Sequence, residues 1–152
     1  MLFQRINRTD PEKVFIVVYN SYGTASLSNG QAVIWDFNTD VNGVGVTMPT
    51  ARATNMGFAA AGIAAETITA GSYGLIQVYG YHGAVRMRAA TSLNDGAKGQ
   101  PLTLNAAGSV FCLETYASST ATTSENVYPC AFLLSAYSSW TTSTVKAFIK
   151  CL

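Results

Sequence analysis

The chain has 152 residues, a length that suits a single domain with a core of its own. Charged residues make up 11% of the chain, and the formal net charge is +1. An average soluble protein has about 25% charged residues, so we expect a surface of neutral side chains, part of it buried against other copies. Because the net charge gives no general field that attracts a polyanion, we expect no direct binding to nucleic acid.

An extended N-terminal arm is predicted over residues 1–13, followed by a single β domain over residues 14–152. The arm mixes apolar and charged residues, and Pro11 interrupts any helix or strand at that point. One interpretation of this segment is a frayed terminus. The other is that Leu2, Phe3 and Ile6 anchor the protein on a neighbouring subunit.

Short strands separated by turn residues follow the arm. Residues 14–19 are a continuous β-branched and aromatic run, which predicts a strand buried on both faces. In the last segment, alternation predicts that Val145, Ala147, Ile149 and Cys151 point inward while Lys146 and Lys150 point outward. The remaining strands are predicted at residues 31–35, 44–48, 58–64, 73 onward, 101–105, 110–114 and 129–137.

No segment shows helical periodicity, and the short strands recur every 8–12 residues or so with glycine-rich turns. This pattern predicts an all-β fold, an antiparallel β-sandwich or barrel. The tripeptide Lys98-Gly99-Gln100 resembles Asn29-Gly30-Gln31, and each precedes a short apolar strand. Two copies of so short a pattern do not by themselves predict a repeat.

A β-hairpin is predicted around His82-Gly83, because two residues between Tyr81 and Ala84 have the length of a tight hairpin loop. This register predicts a polar and aromatic face with Tyr79 opposite Arg86 and Gln77 opposite Arg88. The other face would belong to the core, with Ile76 and Val78 meeting Val85, Met87 and Ala89.

The sequence predicts no enzyme and no cofactor. His82 is the single histidine, and no carboxylate is placed by the sequence to orient it. Carboxylate pairs such as Asp36 with Asp40 fall in loop-like segments, and the glycines of residues 42–45 lack the strand and helix of a dinucleotide site. The sequence leaves open whether Glu66 and Glu114, which are distant along the chain, meet as a catalytic carboxylate pair.

Cys112, Cys130 and Cys151 lie far apart in apolar segments, with no spacing typical of a metal site. We interpret them as small buried hydrophobic residues. Their odd number and the absence of a secretory signal favour folding in a reducing cytoplasm. The apolar run at residues 14–19 is too short to span a membrane, so no membrane association is expected.

Three segments carry a resemblance to a known family: SLSNGQAVIWD, GIAAETITAGSYGLIQVYGYHGAVRM and DGAKGQPLTLNAAGSVFCL. From about Leu27 to Leu113 the chain resembles the small all-β head decoration (cement) proteins of tailed bacteriophages. The resemblance implies a virion protein, made in the host cytoplasm, that binds the major capsid protein on the capsid exterior, commonly as a homotrimer, and stiffens the shell. The Ser- and Thr-rich segment 116–126 departs from this pattern.

The residues expected to contact the capsid or another subunit lie in the arm and on the predicted polar strand face: Leu2, Phe3, Arg5, Ile6, Arg8, Gln77, Tyr79, Arg86 and Arg88. An alternative function is a carbohydrate- or receptor-binding β module. Tyr128, Tyr137 and Trp140 lie among Ser and Thr residues, a mixture that also occurs on lectin-like surfaces.

Overall fold

The computed structural model describes residues 12–49, 59–87, 96–105, 110–113, 129–137 and 141–151. Within these ranges the chain forms strands and no α-helix, so the predicted all-β fold is confirmed. It follows that none of the described residues belongs to a helix long and apolar enough to cross a membrane. The nine described strands are β1 (Lys13–Asn20), β2 (Ala32–Trp35), β3 (Gly45–Thr47), β4 (Ala60–Ala64), β5 (Tyr73–Met87), β6 (Pro101–Asn105), β7 (Val110–Leu113), β8 (Ala131–Leu133) and β9 (Ser143–Lys150).

The strands form two closed rings that share β5. The sheet order is β1-β3-β2-β4-β5-β7-β6-β8-β9, with additional pairings of β1 with β5 and of β5 with β9. The first additional pairing closes β1-β3-β2-β4-β5 on itself, and the second closes β5-β7-β6-β8-β9. With 15 residues, β5 is long enough to serve both rings.

The second ring repeats the topology of the first, four strands later in the chain. In the first ring β1 and β3 are parallel, and in the second their counterparts β5 and β7 are parallel. Every other pairing in both rings is antiparallel. The expectation of an antiparallel sheet is therefore corrected at two pairings, and the fold contains an internal repeat that the sequence did not predict.

The turns before β2 and β6 are equivalent in detail. The oxygen Oε1 of Gln31 accepts the N–H of Ser28 at 2.8 Å, and that of Gln100 accepts the N–H of Ala97 at 2.8 Å. Isolated bridges join Leu27 to Ile68 and Gly96 to Tyr137. Each residue of the second bridge lies 69 positions after its counterpart in the first. The short Gly-Gln pattern thus marks equivalent turns of the repeat.

Each ring encloses a hydrophobic core. The first is formed by Val18, Leu27, Val33, Val46, Ala61, Ala64, Ile68, Ile76 and Val78. The second contains Val85, Met87, Leu102, Cys130, Ala131, Leu133, Tyr137, Val145, Ala147 and Ile149 together with Ala32 and Ile63. Because Ala32 and Ile63 lie on strands of the first ring, the second core also joins the two rings.

The predicted hairpin at His82-Gly83 is wrong. Residues 81–84 lie inside β5, which continues to Met87 and pairs along this part with β9, His82 opposite Ala147 and Val85 opposite Val145. The register shifts between His82 and Val85, so the extra residues form an irregularity in the ladder and not a chain reversal. Gly83 is not among the glycines with positive φ that a tight hairpin turn would require.

The terminal strands give one confirmed prediction and one correction. In β9, Val145, Ala147 and Ile149 are buried while Lys146 and Lys150 are exposed, as the alternation predicts, and Cys151 is half-buried. In β1, by contrast, the expectation of burial on both faces is wrong. Burial alternates along that strand, because its inward side lines the first core and its outward side is partly in solvent.

Candidate protein-binding face

An exposed apolar surface lies on the outer side of β1 and β5 in the first ring. We call it the β1/β5 apolar face and define it by Phe15, Val17, Tyr19, Tyr73 and Leu75. Val17 is 63% exposed and Tyr73 is 68% exposed, while Phe15 and Leu75 are also exposed and Tyr19 is half-buried. Contiguous apolar surface of this kind is typical of binding sites for other macromolecules.

The register of the two strands brings these side chains together. Val17 lies opposite Leu75 and Tyr19 opposite Tyr73, in an antiparallel ladder whose register is constant from Phe15 to Tyr19. The rings of Tyr19 and Tyr73 are 5.2 Å apart and tilted by 58°. Cross-strand pairs of aromatic and β-branched residues stabilise a sheet, so the face is held in place before any partner arrives.

The strands that carry this face are anchored from behind. Val18 and Ile76 point to the opposite side of the same two strands and are fully buried in the first core. An apolar surface fixed on a packed sheet loses little conformational freedom when it binds, which favours affinity. Both strands are central, since β1 also pairs with β3 and β5 with β4.

Charged groups flank the β1/β5 apolar face without interrupting it. On the β4 side, a carboxylate oxygen of Glu66 accepts the N–H of Leu75 at 2.9 Å. At the start of β1, the ammonium group of Lys13 lies 5.8 Å from the centre of the Tyr81 ring, a cation–π contact. The face is therefore an uncharged surface with an acidic group at one border and a basic group at another.

The loop between β2 and β3 also has exposed apolar side chains, which are not part of the β1/β5 apolar face. Phe37, Val41 and Val44 are exposed there. The carboxylate of Asp40 holds the loop by accepting the backbone N–H groups of Asn42 at 2.9 Å, Val44 at 3.0 Å and Gly45 at 2.6 Å. The pair Asp36 and Asp40, expected in a loop, thus shapes that loop.

Hydrogen bonds lower the pKa of both carboxyl groups. For Asp40 the cause is the donation from the backbone of Asn42, followed by that from Gly45. Burial of Asp36 acts to raise its pKa, but the hydroxyl of Ser21, which donates at 2.6 Å, and the hydroxyl and backbone N–H of Thr39 outweigh that effect. Both groups therefore stay ionised to lower pH than a free aspartate.

The polar strand face predicted from the hairpin does not form. Gln77 is 2% exposed, and its amide nitrogen donates to the carbonyl oxygens of Tyr79 and Tyr81, both at 3.1 Å. Tyr79 pairs with Val14 and Lys150 and packs edge-on against Phe148, while Arg86 is half-buried and pairs with Thr144. The other expected contact residues, Leu2, Phe3, Arg5, Ile6, Arg8 and Arg88, lie outside the described residues.

His82 is half-buried in β5, which corrects the expectation of an exposed hairpin tip. Its Nδ1 accepts the backbone N–H of Ala84 at 3.2 Å. Burial lowers the pKa of the imidazole, and the positive charge of Lys13 adds to this effect. Among the described residues, no carboxylate hydrogen-bonds to His82. That the protein is not an enzyme stays a prediction.

Tyr137 belongs to the second core and not to a sugar-binding surface. It is buried, and its hydroxyl donates to the carbonyl oxygen of Thr141 at 2.6 Å. Tyr128, Trp140, Glu114 and segment 116–126 lie outside the described ranges. In the part of the chain that the structure describes, no group of three or more His, Cys, Asp or Glu side chains is arranged to hold a metal ion.

Comparison with known proteins gives a structural neighbour but no relative in sequence. No family model matches the sequence, and no curated protein matches it. The fold is similar to the crystal structure of the head fiber gp8.5 N base of bacteriophage phi29, with a TM-score of 0.49 and 10% sequence identity. The match covers 92% of this chain and 96% of the phage chain.

Proposed function

We propose that this protein is a structural component of a bacteriophage head, which binds the outer surface of the major capsid protein lattice and stabilises it. The observation that carries the proposal is the β1/β5 apolar face, an exposed and rigid surface suited to another protein. The resemblance of residues 27–113 to phage head decoration proteins indicates that the partner is the major capsid protein. A cofactor, a membrane and direct contact with the genome have no part in this function.

The binding mechanism is the burial of apolar side chains, repeated over many copies. Full burial of one exposed Val or Leu side chain contributes about 1.5–3 kcal/mol. Each copy would therefore bind modestly, and association into a homotrimer would let three faces engage one lattice together. Analytical ultracentrifugation of the purified protein tests the trimer directly.

The N-terminal arm is proposed to add contacts to the same partner. Apart from Lys13, which is the first residue of β1, the arm precedes the strand that contributes Phe15, Val17 and Tyr19 to the face. Because Lys13 already pairs with Gly80, removal of the arm should stop at residue 11 if the first ring is to stay intact. This deletion is expected to weaken capsid binding and to leave the thermal unfolding of the domain unchanged.

A charge placed in the β1/β5 apolar face tests the proposal. Val17→Glu adds a carboxylate that binding would have to remove from water, and it leaves the cores untouched because Val17 points outward. Val41→Glu is the matched control, since Val41 is a valine exposed to 88% on the β2–β3 loop. Co-sedimentation with empty expanded capsids of the phage that encodes the protein measures the affinity.

We expect Val17→Glu to weaken capsid binding at least about tenfold, which corresponds to about 1.4 kcal/mol, and Val41→Glu to bind as the wild type does. Equal binding by all three proteins would show that the β1/β5 apolar face does not contact the capsid. Failure of the wild-type protein to bind capsids, together with a specific signal on a glycan array, would favour the alternative of a carbohydrate-binding module.

A further inference from the structure

Two cysteines that are distant in the sequence meet at one edge of the second ring. Cys130 lies in a bend just before β8, and Cys151 directly follows β9. The antiparallel pairing of these strands, with Ala131 opposite Ile149, brings the two residues together across the ladder. Sequence spacing does not indicate this pair, because its members are 21 positions apart in the chain.

Hydrogen bonds fix the backbone on both sides of the pair. The N–H of Lys150 donates to the carbonyl oxygen of Cys130 at 2.9 Å, and the N–H of Cys151 donates to that of Val78 at 2.9 Å. The thiol of Cys151 lies 3.5 Å from the carbonyl oxygen of Cys130. Cys130 is buried in the second core and Cys151, half-buried, packs against it.

The two thiols also interact with each other. A hydrogen bond from the Cys151 thiol lowers the pKa of Cys130, against the opposing effect of burial. The same hydrogen bond, and then burial, raises the pKa of Cys151. The thiol of Cys151 therefore favours ionisation of Cys130, and the neighbouring sulfur opposes ionisation of Cys151. A thiolate beside a thiol is the arrangement from which a disulfide forms.

We propose that Cys130 and Cys151 are an oxidisable dithiol pair that forms an intrachain disulfide when the protein meets a peroxide. The thiolate of one cysteine attacks hydrogen peroxide, the O–O bond breaks, and a sulfenic acid and hydroxide result. The second sulfur then attacks the sulfenic sulfur and displaces its oxygen as water. In sum, two thiols lose two electrons and two protons, and one peroxide becomes two molecules of water.

The disulfide would tie the end of β9 to the start of β8. These two strands are neighbours in the second ring, and β9 also closes that ring through its pairing with β5. A cross-link between them restricts the unfolded chain over the intervening residues, which stabilises the folded form. The oxidised protein is therefore expected to resist unfolding more than the reduced protein.

Peptide mapping of the oxidised wild-type protein tests the link without any substitution. The reduced protein is treated with hydrogen peroxide, its free thiols are alkylated, and it is digested without reductant by trypsin and a glutamate-specific protease. Cleavage after Glu114 and Glu125 separates Cys112 from Cys130, and cleavage after Lys146 and Lys150 separates Cys130 from Cys151. We expect one cross-linked species, joining the Cys130 and Cys151 peptides, that dithiothreitol releases.

Thermal unfolding provides the second measurement. Oxidation is expected to raise the melting temperature by on the order of 5–10 °C, and dithiothreitol should reverse the shift. Cys112→Ser is the control that keeps the shift, while Cys130→Ser and Cys151→Ser should lose it. Conversion of Cys130 and Cys151 to separate sulfinic acids, or a cross-link that involves Cys112, would overturn the proposal.

Discussion

Gly30 and Gly99 occupy the same place in two equivalent turns, yet only one of them has room for a methyl group. Both have positive φ, 77° and 86°, a conformation that favours glycine. A Cβ atom on Gly30 would overlap the carbonyl oxygen of Ala84 in β5, whereas a Cβ atom on Gly99 would meet nothing within 4 Å. Equivalent turns of the repeat therefore differ in how closely β5 approaches them.

We predict that Gly30→Ala destabilises the fold more than Gly99→Ala. In Gly99→Ala only the left-handed backbone is strained, at a cost of about 1–2 kcal/mol. Gly30→Ala has the same strain plus a steric overlap with backbone, which adds about 1–3 kcal/mol. Urea unfolding monitored by circular dichroism measures both. Equal destabilisation would mean that β5 can move away from the turn at no cost.

The bounds of most strands followed from local sequence. Residues 101–105 were predicted as a strand and form β6, and residues 14–19 lie within β1 (Lys13–Asn20). Runs of β-branched residues and turn glycines are local signals, so they need no knowledge of the partner strand. No local signal indicates that Phe15 and Val17 are exposed, because their exposure depends on which face of β1 the rest of the chain covers.

The course of β5 at His82-Gly83 could not be decided locally either. A tight hairpin and a bulge both place a glycine between two apolar stretches. The bulge forms because β9, which lies more than 60 residues after His82, pairs with β5 on both sides of it. Gln77 illustrates the same limit, since a glutamine in an alternating strand is expected in solvent and here bonds to its own strand.

The β2–β3 loop is predicted to lose its order in acid. The folded-state pKa of Asp40 lies below its ordinary value of 3.8, so the unfolded loop takes up its proton at a higher pH than the folded loop does. The stabilisation is therefore fully present above about pH 4 and is lost as the pH falls through the lowered pKa. Asp36 acts in the same direction, since its pKa is also lowered.

Hydrogen exchange of individual amides, followed by NMR, measures this loss. The amides of Asn42, Val44 and Gly45 should lose protection below about pH 4, because the Asp40 carboxylate accepts all three. The amide of Ala64, which bonds to the carbonyl oxygen of Gln31, is the control and should stay protected. Asp40→Asn should reproduce the loss at neutral pH. If these amides kept their protection in acid, contacts other than those of the Asp40 carboxylate would hold the loop in order.

Two rings built on one shared strand join the described strands into one sheet despite the internal repeat. The repeat is clear in the topology, where each pairing of the first ring recurs four strands later, and the Gly-Gln turns retain it in the sequence. Side chains can diverge while strand order persists, because a core tolerates many apolar combinations of similar volume. The sequence alone therefore predicts the strands and does not reveal the repeat.

Since β5 contributes Ile76 to the first core and Met87 to the second, neither ring should unfold alone. We predict a single cooperative transition, in which NMR signals of Val33 in the first ring and Leu133 in the second vanish at the same urea concentration. Ile76→Ala and Ile149→Ala, one in each core, should each cost about 2–5 kcal/mol and shift both signals together. Suppose instead that Ile149→Ala lowered the urea midpoint of the Leu133 signal while the Val33 signal kept its wild-type midpoint. The rings would then be independent folding units, and the strand they share would not couple their unfolding.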